Sequence, residues 1–106
     1  MKKLLIIFSA TCLAVSCGSD EAAEGLALTT KSDCHTCHKV TEASTGPSFE
    51  SIAERYGKTP QVIDTLSEKI IQGGSGTWGM VPMTPHPAIS KEDAKTMVKY
   101  ILSLKK

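Results

Sequence analysis

The chain has 106 residues, 41% of them hydrophobic, and 12 Lys and Arg against 11 Asp and Glu, a formal net charge of +1. That balance excludes a strongly basic nucleic-acid binder and a highly charged disordered segment, since it supplies neither the phosphate attraction nor the self-repulsion they need. The length suits one small domain, marginal for a stand-alone apolar core and in want of a staple.

Residues Met1 to Ser16 open on Lys2 and Lys3, continue through Leu4-Leu5-Ile6-Ile7-Phe8 and reach small residues before Cys17. This is a signal-peptide layout, with an apolar stretch too short to span a bilayer as a stable helix. Ala14-Val15-Ser16-Cys17 resembles a bacterial lipobox, although Ala14 stands where leucine is usual. The expectation is cleavage before Cys17, diacylglycerol on its sulfur and a protein lipid-anchored on the periplasmic side of a bacterial membrane. Cys12 is a second candidate for that processing, and ordinary cleavage to a soluble periplasmic protein is the alternative. The 90 residues left after cleavage carry 10 basic and 11 acidic side chains.

Residues 17–24 are small, acidic and polar and suit a flexible tether, with the folded domain running from 25 to 106. A first helix is expected from about Glu24 to Ser32, using Leu26 and Leu28 among its apolar residues and weakened by Gly25. It runs into Cys34-His35-Thr36-Cys37-His38, which reads C-x-x-C-H.

Two thiols three positions apart lie on neighbouring parts of one helical turn, so each can add to a vinyl group of the same porphyrin edge while His38 comes under the iron. The motif therefore predicts one covalently attached haem c per chain, with thioethers at Cys34 and Cys37 and His38 as proximal iron ligand. A redox dithiol would need a βαβ pattern around the pair, and no strand pattern flanks it. A structural zinc site would need two more ligands at workable spacing, and only His35, His38 and His86 are on offer. A disulfide across so short a separation is strained and leaves His38 unexplained. His35, between the cysteines, is expected to be a solvent-facing spacer.

Pro47 to Tyr56 fits a second helix, with Phe49, Ile52, Ala53 and Tyr56 at helical spacing and Gly57 as its stop. Thr59-Pro60 reads as an N-cap followed by proline at the first helical position; Val62, Ile63, Leu66 and Ile70 then mark one face until Gly73-Gly74. Ser90 with Asp93 forms a capping-box start for a last helix striped by Ala94, Met97, Val98, Ile101 and Leu104. The fold class is all-α, four to five helices around one haem.

Between the last two helices, Gly74 to Pro87 is too rich in glycine and proline for regular structure, and long loops of this kind are usually functional. A haem held by one histidine needs a partner on its other face. Met83 lies between Pro82 and Pro85, which restrict the chain before a weak thioether bond forms. Met80 is the rival ligand, His86 would give bis-histidine ligation, and Met97 belongs to the core of the last helix.

These motifs together resemble the small bacterial class I monohaem cytochromes c: Cys-His-Thr-Cys-His, Thr45-Gly46-Pro47, Gly76-Thr77-Trp78-Gly79, Val81-Pro82-Met83-Thr84-Pro85 and the terminal Val98-Lys99-Tyr100-Ile101-Leu102. The resemblance implies His38 as proximal ligand, the Pro47 carbonyl as acceptor of its imidazole N–H, and Met83 as distal ligand. It also implies an indole-to-propionate bond from Trp78, with Arg55 as companion, whereas simple core packing is the plainer reading of that tryptophan. Met80 departs from the proline often found there.

The function expected is electron transfer, without catalysis, by a monomer meeting partner proteins of the respiratory chain transiently. A haem peroxidase or gas or redox sensor with a displaceable sixth ligand is the alternative from another class. A third reading is the electron-input subunit of a larger membrane oxidoreductase.

Overall fold

The computed structural model describes residues 6, 7, 9, 11 and 17–106. Among these, four α-helices follow one another, α1 (Cys17–Lys31), α2 (Phe49–Arg55), α3 (Pro60–Gln72) and α4 (Lys91–Ser103), with a 3₁₀ turn at Cys34–Thr36. Most of the expected signal segment, Cys12 included, lies outside the described residues. Among those described, no helix is long and apolar enough to cross a membrane.

The starts of three helices follow from side-chain caps. Ser48 Oγ accepts from the Ser51 N–H, Thr59 Oγ1 from Val62 and Ser90 Oγ from Asp93, so each hydroxyl satisfies a backbone donor that has no partner inside its helix. Pro60 at the first position of α3 gives up nothing, because its missing N–H would be unpaired anyway. α2 is shorter than expected. Pro47 precedes its cap, and α2 stops at Arg55 because Tyr56 turns to extended backbone.

α1 differs more. Residues 17–24, expected as a tether, are the first half of the helix, which begins at Cys17 rather than near Glu24. Asp20 in the first turn suits the positive end of the helix dipole, and Glu21 pairs with Lys99 of α4 at 2.7 Å. Gly25 strengthens rather than weakens this helix. A Cβ there would collide with the Tyr100 side chain and lie 2.7 Å from the Thr96 carbonyl, so glycine is what lets α1 cross α4 at close range. Leu26, one of the apolar residues of this helix, is exposed, and Thr29 is buried one turn on, its hydroxyl donating to the Leu26 carbonyl.

α4 is the centre of the molecule, packed by α1, α2 and α3 on different sides. It therefore buries more than one stripe: Ala94, Met97, Val98, Tyr100, Ile101 and Leu102 are all inside. Ile70 of α3 joins Ala94, Met97, Val98 and Leu102 in one cluster, and Phe49 of α2 joins Tyr100 and Ile101 in the other. Cys34 packs against both clusters, so the motif turn is fixed where the two halves of the core meet.

Candidate functional site

A cleft of about 830 Å³, counted with its open mouth, lies between the motif turn, α3, α4 and the loop that follows α3. Cys34, His38 and Pro47 line it together with Trp78 and Met83 of the loop and Met97 and Val98 of α4. Apart from Lys69 it is lined without charged side chains.

The motif turn is set by its backbone. Asp33 adopts the left-handed conformation, φ 59°, which ends α1 and starts the 3₁₀ turn. The His38 N–H then donates to the Cys34 carbonyl at 2.9 Å, which closes one turn and brings the first thiol and the imidazole onto the cleft together. Cys34 is half-buried, and that burial pushes its thiol pKa up, whereas Cys37 is exposed on the outer part of the turn. Both are unpaired thiols, and among the described residues no group of three or more His, Cys, Asp or Glu could hold a metal ion.

His38 is held on three sides. Its Nδ1 lies 2.7 Å from the Pro47 carbonyl, which can only accept, so Nδ1 carries the proton and Nε2 is left with a free lone pair, able to ligate. Phe49 stacks on the ring at 5.6 Å, with an interplanar angle of 19°. Gly46 closes the third side: a Cβ there would lie 2.6 Å from His38 Cε1 and 2.9 Å from Nδ1. The Gly46 N–H donates to the Cys37 carbonyl at 2.9 Å, which draws this strip of chain over the motif. His35 is not the solvent-facing spacer expected, for its ring meets the edge of Phe49 at 5.3 Å.

The glycine- and proline-rich loop carries more order than its composition suggests. Gly74 and Met83 exchange both backbone hydrogen bonds, 3.0 and 2.9 Å, and the Gly76 N–H donates to the Gly79 carbonyl at 2.8 Å. This pinned backbone sets Met83 on the cleft, partly buried against the Ile70 cluster. Met80, on the outer bend, is 89% exposed and does not line the cleft. His86 does not line it either. Its N–H is shared by the Ile70 and Ile71 carbonyls at 3.1 Å each, and its Nδ1 is buried without a hydrogen-bond partner.

Trp78 lines the cleft while leaving 43% of its surface exposed, so it is not a core residue. Arg55 stands one layer out. Its Nη1 donates to the Thr77 carbonyl at 3.1 Å and its guanidinium lies over the Trp78 ring at 4.5 Å, a cation–π contact that fastens the loop to α2. Tyr56 meets the same indole edge-on at 6.5 Å. Lys69 is the site residue that sequence reasoning missed. It lines the cleft one turn before the end of α3, and its signal was a cation between the apolar positions Leu66 and Ile70.

The donor set fits a covalently held haem. A thiol, an imidazole and a thioether line one mainly apolar cleft, and the imidazole is already oriented by an acceptor carbonyl and a cradle that only glycine permits.

Known proteins agree with this reading. The chain is 40% identical over 72 residues to cytochrome c-551 of Azotobacter vinelandii, covering 68% of this chain and 87% of that one. It is 35% identical over 105 residues to cytochrome c-551 of Stutzerimonas stutzeri, covering 99% of this chain and 100% of the other. In three dimensions it is similar to the crystal structure of cytochrome c552 from Nitrosomonas europaea, with a TM-score of 0.71, 38% identity and coverage of 76% of this chain and 99% of that one. With residues 22–105 matching the family described as Cytochrome c, over helices and a cleft built for one covalently bound haem c, the chain belongs to the cytochrome c family.

Proposed function

We propose that the chain is an electron carrier of a bacterial respiratory chain whose single haem c is held by Cys34 and Cys37 and ligated axially by His38 and Met83. The haem supplies a one-electron ferrous–ferric couple. The observation that carries the ligand assignment is the placement of the two loop methionines: Met83 lines the same cleft as His38, while Met80 is exposed and does not line it. With His38 and Met83 both holding the iron, little room would remain there for a substrate, which favours a carrier over a peroxidase or a sensor.

Each residue then has a physical task. Pro47 and Gly46 fix the imidazole plane, and the Pro47 carbonyl raises the basicity of the ligating nitrogen by accepting from Nδ1. The Met83 thioether is a soft ligand that favours the reduced state and so raises the potential relative to two histidines. Trp78 and Lys69 are among the cleft-lining groups able to donate to the haem carboxylates, and Arg55 acts behind them by holding Trp78 and the Thr77 carbonyl. Trp78, Met80 and Val81 together expose apolar surface at the mouth of the cleft, where a transient redox partner would dock.

The proposal extends to the N-terminus. Cleavage before Cys17 and lipid on its sulfur would place the carrier on the periplasmic face of a membrane, with α1 following the anchor directly. A soluble periplasmic carrier is the second form this function takes.

The test is spectroscopic. The oxidised holoprotein is expected to show the weak long-wavelength sulfur-to-iron band, and the reduced form to bind carbon monoxide poorly. Absence of the band together with rapid carbon monoxide binding would replace the carrier by an enzyme or a sensor.

A further inference from the structure

Met83 can serve as a ligand only if its backbone is held at one distance from the cleft, and the strip that holds it is the end of α3. Gly74 pairs with Met83 in both directions, and the His86 N–H is clasped by the Ile70 and Ile71 carbonyls. The chain from Met83 to His86 is thereby laid along residues 70–74. At the middle of that strip stands Gly73, which ends α3 by donating to the Lys69 carbonyl at 2.8 Å.

Two separate observations make Gly73 irreplaceable there. Its backbone has φ 68° and ψ −156°, a region open essentially to glycine alone. A Cβ at this position would also collide with the Met83 carbonyl, lie 2.8 Å from the Pro85 nitrogen and 3.1 Å from its Cδ. The neighbours struck are backbone and a proline ring, none of which can swing aside. A methyl group there would lift residues 83–85 off α3 as a unit. Gly76 and Gly79 also have positive φ, 110° and 116°, but a Cβ on either would meet nothing within 4 Å. Gly73 differs from them in touching the ligand segment.

We propose that Gly73 is a positioning residue for the sixth ligand: the absence of a side chain at this one site sets how far the Met83 thioether reaches into the cleft. The inference rests on the reading of Met83 as distal ligand. Neither the motif turn nor the Gly46 cradle is involved, so the His38 side of the haem keeps its geometry when Gly73 changes.

The experiment compares holoproteins carrying Gly73→Ala, Gly76→Ala and Met83→Ala, together with the double variant Gly73→Ala/Met83→Ala, by the sulfur-to-iron band, carbon monoxide binding and unfolding. Gly73→Ala should weaken or lose the band and admit carbon monoxide. Gly76→Ala should lose stability through strained backbone alone and keep both properties of the wild type. Gly73→Ala should also cost less stability in the Met83→Ala background than in the parent, because no ligand bond then remains to be broken. A band retained in Gly73→Ala, equal stability costs in the two backgrounds, or failure of Gly73→Ala to fold in either would make Gly73 merely structural and overturn the proposal. A band that survives Met83→Ala would instead remove the ligand reading on which it rests.

Discussion

Gly46 and His38 show how much of this site depends on single atoms. The imidazole is fixed by an acceptor at 2.7 Å on one side and by the missing side chain of Gly46 on another, so a methyl group at residue 46 must displace either the ring or the Cys37–Gly46 hydrogen bond. Gly46→Ala is expected to destabilise the holoprotein by about 1–3 kcal/mol, as overpacking of a fixed site does. Denaturant unfolding followed at the haem band reads this directly, and unchanged stability would show that the ring is not clamped as described. Cys34 and His38 were legible because their spacing is dictated by bonds that a haem needs, Met83 because prolines flank it, and Pro47, Trp78 and Arg55 through the family resemblance. Lys69 and the contact made at Gly73 were not. Lys69 reaches the cleft from inside a helix stripe, and Gly73 matters through a contact with a segment ten residues further on.

Helices α3 and α4 are joined at their surfaces by a charge cluster as well as by the core. Lys95 meets Asp64 at 3.0 Å, and Lys91 reaches Glu68 and, at 3.9 Å, Asp64. The hydrogen bond from Lys95, then the charges of Lys95 and Lys91, hold the Asp64 carboxyl below its usual pKa. Its contribution to stability is therefore complete above the ordinary carboxylate range and is lost as pH falls through the lowered folded value. Wild type should lose more stability on acidification from about pH 6 to about pH 2 than Asp64→Asn does, and the difference should shrink in high salt because the pair is exposed. Parallel unfolding curves for the two proteins would show that the cluster contributes nothing. The same two helices were the most legible elements, since cap, first-turn proline and apolar stripe agree in each. α1 was least legible: its fully buried residues are a glycine and a threonine, with Leu28 only partly buried against the core, and what makes it helical from Cys17 is the α4 surface that Gly25 lets it approach.

For the molecule as a whole, the near balance of charge and the exposed Trp78, Met80 and Val81 point to docking through apolar contact at the cleft mouth. Electron-transfer rates with the physiological partner should then change little between low and physiological ionic strength, and a steep fall would mean charge-guided docking instead. At the opposite end of the chain, Cys17→Ser should abolish membrane retention or block processing. Equal solubility of the two unmodified proteins would leave the soluble periplasmic carrier. The central claim is that one haem sits between His38 and Met83, and the most direct measurement is the absorption spectrum and reduction potential of Met83→Ala beside Met80→Ala, each variant keeping the other methionine as control. Met83→Ala is expected to lose the sulfur-to-iron band, lower the potential and open the reduced iron to carbon monoxide, while Met80→Ala stays close to wild type. The reverse pattern would move the ligand to the exposed bend of the loop, and no effect from either variant would contradict methionine ligation altogether.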